Sequence, residues 1–262
     1  MYRSDINGDK IEHLATVKGI YSIDIANDLI YGKISTSNSR GVHTFDLDGA
    51  NEKKIQDLFT GVPGDIRVDV ENGDIYNSTT IDDVIVKTDI EGEPGNADDP
   101  SYWVFNPFNE GCLVACDPYA MAIDYKYSKF YYSTQSGGSA ALYSSALGSD
   151  TTVSREKIVD AETGVLNTEY GYIVKIDIDT EKDKVYWMTN MSIQRANLDG
   201  SEVETIHIDE SEALFSMALS SDNQTLYWSE DNEIYSLKLN KAGAKKKLVF
   251  KNLYHIHSVA TY

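Results

Sequence analysis

Cysteine, proline, basic residues and long apolar runs are all scarce in this chain, and each scarcity closes a route. The 262 residues include two cysteines and five prolines. Five prolines leave no long Pro-rich linker. Cys112 and Cys116 are spaced C-x3-C, with no second Cys pair or nearby His to complete the four ligands of a zinc site. A local disulfide tying down a loop is therefore expected, with two free thiols as the alternative. No stretch approaches the ~20 apolar residues of a membrane-spanning helix. No signal peptide is visible in the sequence as given. Lys and Arg number 23 against 42 Asp and Glu, for a formal charge of −19. That balance argues against nucleic acid and membrane insertion or anionic membrane surfaces, which demand a basic footprint or an apolar span. A basic protein, a cation or a neutral glycan stays open, beside plain solubility. The one positive cluster, Lys245-Lys246-Lys247, is expected on an edge strand, where charge discourages aggregation.

Tyrosine is what the chain has in plenty: 18, against 7 Phe and 3 Trp. Its ring suits a half-buried pleated surface and its hydroxyl a wet end. The tyrosines recur in short apolar runs: Leu29-Ile30-Tyr31, Asp74-Ile75-Tyr76, Lys129-Phe130-Tyr131-Tyr132, Lys184-Val185-Tyr186-Trp187 and Thr225-Leu226-Tyr227-Trp228. Their spacing is roughly that of a four-stranded propeller blade. An alternating strand precedes each run and ends in a small polar or acidic residue: Asp24, Asp69, Asp124, Asp177 and Ser220. A turn follows each run where a fourth strand is approached, as in Asp46-Leu47-Asp48-Gly49 and Asn197-Leu198-Asp199-Gly200, with glycine free to take positive φ. Four strands per unit with period-2 alternation cannot bury both faces alone, and radial stacking of several units does.

These residues resemble the YWTD repeat of the low-density lipoprotein receptor class B family. The best match is Lys184 to Thr189 followed by Ile193 to Ser201, and the next is Thr225 to Glu230. The final Asp of that motif is replaced throughout, by Ile34, Thr79, Thr134, Thr189 and Glu230. The resemblance implies an all-β, six-bladed β-propeller of four-stranded blades in one domain, 1–262, secreted or part of an ectodomain and binding proteins. Blades 1–5 are expected over 19–58, 64–105, 119–159, 172–208 and 214–250. Residues 1–15 and 252–262 are expected to make a blade 6 that closes the ring with both termini, since Tyr2 to Gly8 parallels Gln194 to Gly200. Three sequons, at Asn77, Asn190 and Asn223, agree with an extracellular setting as glycosylation sites.

No catalytic signature is present: no G-x-S-x-G, H-E-x-x-H, P-loop or G-x-G-x-x-G. No enzyme activity and no cofactor are expected, with calcium left open. The recurring aspartates read either as a calcium ring or as a fold position capping loop backbone, and the Asp-x-Asp-Gly turns lack the bidentate Glu of an EF-hand. His255 and His257 share one face of the last strand, as wall residues, metal ligands or pH sensors. Two insertions, 93–118 and 160–172, follow consecutive blades and should meet on the rim of the channel. The expected ligand contacts are Phe108, Asn109, Glu110, Tyr119, Glu169, Tyr170, Tyr172, Phe215 and His255. Aromatics beside acids and amides suit a protein anchor or a stacked sugar. An extracellular protein is the expected partner, a glycan the alternative, and a calcium-dependent propeller hydrolase the third reading.

Overall fold

The computed structural model describes residues 1–5, 9–37, 39–57, 63–79, 84–90, 103–105, 117–136, 139–148, 155–160, 172–209, 214–251 and 256–261. Strands β1 (Tyr2–Arg3) and β2 (Glu12–His13) form a short hairpin of their own. Five four-stranded antiparallel sheets follow in chain order. Blade 1 is β3 (Ile20–Ala26), β4 (Leu29–Ser35), β5 (Arg40–Asp46) and β6 (Lys53–Asp57). Blade 2 is β7 (Pro63–Asp69), β8 (Asp74–Thr79), β9 (Val84–Asp89) and β10 (Trp103–Phe105). Blade 3 is β11 (Met121–Asp124), β12 (Lys129–Ser136), β13 (Ser139–Ala146) and β14 (Glu156–Asp160). Blade 4 is β15 (Lys175–Asp179), β16 (Lys184–Met188), β17 (Ser192–Asn197) and β18 (Glu204–Ile208). Blade 5 is β19 (Leu214–Leu219), β20 (Thr225–Glu230), β21 (Glu233–Lys238) and β22 (Lys247–Phe250). Strands pair in sequence order within each sheet, and β3, β7, β11, β15 and β19 touch one another from blade to blade. They are the innermost strands of a β-propeller.

The second strand of each blade carries the recurring tyrosine because it is covered on both sides. Tyr186, Trp187 and Met188 of β16 and Leu226 and Trp228 of β20 are all buried, whereas β18 at the outer edge is largely exposed. A strand covered on both faces reads as a continuous apolar run. The core is accordingly a set of seams. Tyr31 and Val42 of blade 1 pack on Ile66, Val68 and Ile75 of blade 2. Tyr76, Ile85 and Phe105 of blade 2 meet Met121, Phe130 and Tyr132 of blade 3, with the Tyr76 and Phe130 rings stacked at 4.8 Å. Leu142 and Val159 face Ile176 and Trp187 between blades 3 and 4, and Tyr186 and Ile193 face Met217 and Trp228 between blades 4 and 5.

Six blades were expected and five are formed. The β1–β2 hairpin pairs Tyr2 with His13 and Arg3 with Glu12 and joins no other sheet. Residues 256–261 belong to no strand ladder. They sit between blades 5 and 1 and are held by side chains: Val259 N–H donates to Ser216 Oγ at 2.9 Å, Ile23 N–H donates to Ser258 Oγ at 3.1 Å, and Thr261 Oγ1 donates to the Leu219 carbonyl. Among the described residues no second strand lies between 256–261 and β1, and a ladder cannot pass from one to the other without it; Met1 and Leu14 pack against blade 1.

The glycine turns behave as their sequence demands. Gly200 has φ of 84°. Its N–H donates to the Asn197 carbonyl at 2.9 Å, and Ser201 N–H donates to Asp199 Oδ1 at 2.9 Å. A Cβ at Gly200 would lie 2.0 Å from the Ile158 carbonyl oxygen of blade 3. Both the left-handed backbone and this close approach exclude a side chain. Gly200→Ala should therefore destabilise the protein by about 1–3 kcal/mol, read as a lower melting temperature. Gly73→Ala, where the turn opens to empty space, isolates the backbone part of that cost.

Candidate functional site

The innermost strands place one residue per blade opposite the recurring tyrosine: Asp24, Arg67, Ala122, Asp177 and Ala218. Two residues earlier stand Ser22, Asp65, Ala120, Lys175 and Ser216. These positions bring three acids and two bases together. Asp65, 2% exposed, is the hub. Its Oδ1 accepts from Ser22 Oγ at 2.6 Å and Lys175 Nζ at 2.7 Å, and its Oδ2 from Met121 N–H at 3.2 Å. Arg67 bridges both oxygens at 3.1 Å and sends Nη2 to the Ile176 carbonyl at 3.3 Å. Lys33, on β4, is also buried and donates to the Ser78 and Asp65 carbonyls. Blades 2 and 4 are not neighbours, so the Lys175–Asp65 and Arg67–Ile176 contacts cross the channel.

Burial alone would push the Asp65 carboxyl up, but Arg67 and Lys175 outweigh it and hold it below the usual range. Burial raises Asp24 and Asp177. Each accepts an amide of the next blade: Val68 N–H to Asp24 Oδ2 and Leu219 N–H to Asp177 Oδ2, both at 2.8 Å. Burial lowers Lys175, with Arg67 adding to the effect, and brings Lys33 down to about 7.

The aspartates that recur in the sequence are thus of two kinds. Asp69 and Asp124 end their strands and cap the following turn, accepting from Asn72 N–H at 3.1 Å and Tyr127 N–H at 3.2 Å. Asp24 and Asp177 lie two residues before the strand end and link blades. Glu230, in the last place of the YWTD pattern, also links blades: it takes His207 of blade 4 at 3.0 Å, with Trp228 and Lys246 of blade 5. Sequence reading missed Lys33, Asp65, Arg67 and Lys175. The available signal was a charge at repeat positions where several of the other blades carry Ala or Ser. Ser78 and Ser133 hold the Lys33 place in blades 2 and 3, and donate to the Tyr119 and Ile173 carbonyls of the next blade.

Aromatic residues stand one step before the channel positions: Tyr21 before Ser22, Tyr119 before Ala120, Phe215 before Ser216 and His257 before Ser258. Tyr21 is 39%, Phe215 49% and Tyr172 55% exposed. The Tyr21 and His257 rings lie 5.8 Å apart. Tyr119 is partly buried, and its hydroxyl is pushed up by burial and then by Asp65 and Tyr21. Tyr119 and Tyr172 line a cavity of about 260 Å³ between blades 3 and 4, with Asp117, Gln135 and Val174. The structure therefore brings the expected Tyr119 and Tyr172 together and puts Phe215 at the equivalent place on blade 5. Tyr21 and His257 join them at the same repeat offset, which the sequence reading passed over. Phe108, Asn109, Glu110, Cys112, Cys116, Glu169, Tyr170 and His255 lie outside the described residues. Of the sequons, Asn77 is wholly buried in β8 and donates to Gln56 Oε1 at 3.0 Å, a place with no room for a glycan. Asn190 and Asn223 are partly exposed.

Two outcomes follow from the ion cluster. Lys175→Met strips a buried carboxylate of a partner and should cost about 3–5 kcal/mol in denaturant unfolding. Lys33 holds its proton in the unfolded chain up to its ordinary 10.5 but in the fold only to about 7. Between those values the unfolded state binds the extra proton, so stability rises with pH, by up to ~1.4 kcal/mol per unit. The difference in stability between the natural protein and Lys33→Met should carry that slope from pH 7 to 10 and be flat below pH 6.

No protein-family model matches the chain, and no curated protein sequence matches it. Its fold is similar to many solved structures. A chain in a nidogen/laminin complex aligns over 90% of this protein and 83% of that one, at TM-score 0.69 and 12% identity. The putative TolB of Agrobacterium tumefaciens aligns over 92% and 84%, at TM-score 0.67 and 13% identity. A structural genomics protein of unknown function from Bacteroides thetaiotaomicron aligns over 93% of this chain at TM-score 0.64 and 9% identity, and this chain spans 64% of that one. At these identities the likeness is one of fold, and the fold is the β-propeller.

Proposed function

We propose that this propeller is a YWTD-type, extracellular binding module that takes a protein ligand onto the mouth of its channel. One observation supports the reading: exposed aromatic side chains stand at or just before the starts of innermost strands whose charges pair across the ring. Tyr21, Tyr172 and Phe215 offer apolar area at low conformational cost, the composition of an interface anchor. The scaffold beneath is locked, and recognition on a rigid ring belongs to its rim and loops. Phe108, Asn109, Glu110, Glu169, Tyr170 and His255 are proposed to extend the same surface. A protein partner also accords with the structural likeness to a chain of a two-protein complex.

A glycan is the second reading, favoured by the small cavity where Tyr119 and Tyr172 meet Asp117 and Gln135. The carboxylates nearest the channel are engaged by Arg67, Lys175 and backbone amides, so the calcium-dependent hydrolase has no free ligand set among the described residues. The two binding readings separate cleanly. Chemical cross-linking in an extracellular matrix extract should capture a protein with the natural chain. Phe215→Ala with Tyr172→Ala should weaken capture at least tenfold, since one buried anchor is worth ~2 kcal/mol, with the melting temperature unchanged. Undiminished capture by that double variant removes the rim from the interface. Saturable sugar binding on a glycan array without any captured protein promotes the second reading.

A further inference from the structure

The two sides of the ring differ in charge, and the difference follows from the topology. The innermost strands begin on one side, where Tyr119, Tyr172 and Phe215 stand, and end on the other. Successive strands are antiparallel, so the connections 36–39, 58–62, 80–83, 106–120, 137–138, 161–174, 189–191, 209–213 and 231–232 all join strands on the rim side. Not one of them contains Lys or Arg, and Glu110, Asp117, Glu169, Asp209 and Glu212 are among their acids. The connections on the opposite side hold Lys126, Arg155, Lys182, Lys241, Lys245 and Lys246. Lys18, Arg40 and Lys251 also border the rim side, but at blade 1 and after the last strand of blade 5. In the channel below, Lys33, Arg67 and Lys175 stand against Asp24, Asp65 and Asp177, so the centre adds no excess of positive charge.

The aromatic rings differ in the same sense. Away from the rim the chain covers rings with its own cations. Lys126 lies 4.8 Å from the Tyr127 ring centre, Arg155 4.6 Å from Tyr143 and Lys246 4.3 Å from Tyr235. Among the described residues no cation covers Tyr119, Tyr172 or Phe215, and the sequence of the connections around them has none to offer.

We propose that the rim over blades 3 to 5 takes an arginine-rich segment of its protein partner, the guanidinium groups stacking on Tyr172 and Phe215 within an acidic surround. The proposal rests on the reading of the rim as a protein-binding surface, and adds the chemistry of the partner. Charge selects the occupant. A neutral segment could use the rings but would gain nothing from the carboxylates, and an acidic one would meet like charge, which costs affinity across an interface. Arginine suits the rings better than lysine, because its planar and weakly hydrated head stacks on aromatic faces.

The probe is a short, end-blocked, fluorescein-labelled peptide alternating Arg and Gly. At physiological ionic strength, long-range attraction to the formal charge of −19 is screened. Under that condition the peptide should give saturable anisotropy with the full chain. The Lys counterpart should bind about threefold more weakly, and the Glu counterpart should not bind. Phe215→Ala with Tyr172→Ala keeps the charge and should weaken binding roughly tenfold or more. Asp117→Asn with Asp209→Asn should weaken it comparably. Glu71→Gln with Glu181→Gln, the same change of charge on the opposite side, should leave it intact. On the unsubstituted protein, hydroxyl-radical footprinting should show Tyr172 and Phe215 protected by the peptide and Tyr127 unaffected, a readout that needs no variant to fold. Undiminished binding to the aromatic double variant, equal loss from the Glu71 and Glu181 pair, or protection of Tyr127 in place of Tyr172 and Phe215 reduces the binding to net charge and overturns the proposal. Rim-dependent protein capture that the Arg peptide does not displace overturns it too, while leaving the rim as the binding surface. Capture indifferent to Phe215 and Tyr172 removes that surface, and this proposal with it.

Discussion

A buried carboxylate must be paired, and Asp65 is paired from four directions. Ser22 comes from blade 1, Arg67 from its own strand and Lys175 from across the channel, while blade 3 gives the Met121 amide. Removing any charged partner leaves a buried ion uncompensated, so the cluster tolerates one arrangement of the blades around it. The apolar seams supply most of the stability, because burial scales with area and not with direction. They could be satisfied by blades slid or rotated slightly against one another. The ion cluster could not, since its bonds are short and directed. Blade angle and strand height at the centre of the ring are set there.

The centre of the ring is crossed by charge pairs. Lys175 and Arg67 span from blade 2 to blade 4, so part of the channel is crossed by paired groups. The residue preceding the channel position is aromatic in blades 1, 3 and 5 and in the C-terminal segment. One repeat thus carries both a residue that links the blades and, before it, an aromatic one that is left partly or largely exposed in Tyr21 and Phe215.

The fold was legible because its signals are local and repeated. The tyrosine run, the Gly turns and the acidic strand ends recur, and a periodic signal survives weak conservation of any one residue. The site was less legible for a geometric reason. The hairpin from β3 to β4 turns through two residues, Asn27 and Asp28, where those from β7, β11 and β15 turn through four. Counting back from the tyrosine therefore misplaces residues, and Asp24 seemed equivalent to Asp69 although it is Arg67 that faces the tyrosine in blade 2. Lys33 and Arg67 have no counterpart in the other blades, so a search for what repeats passes over them. The count of blades went astray similarly. Tyr2 to Gly8 resembles a strand-and-turn of blade 4, but a resemblance in seven residues specifies a hairpin, and a blade needs a ladder of neighbours as well.

Closure of the ring rests on a different balance from the rest of it. Four seams are packed by buried apolar side chains, with rings meeting across two of them, Tyr76 on Phe130 and His207 on Trp228. The fifth is held by a segment with three side-chain hydrogen bonds and a cavity behind it. Each such bond contributes about 1 kcal/mol, whereas each buried aromatic contributes more. Local opening follows the weakest contacts, so the ring opens first between blades 5 and 1. His257 stands on that segment and meets Tyr21 on the blade beside it. The spacing of these two rings therefore depends on how the C-terminal segment is held between blades 5 and 1.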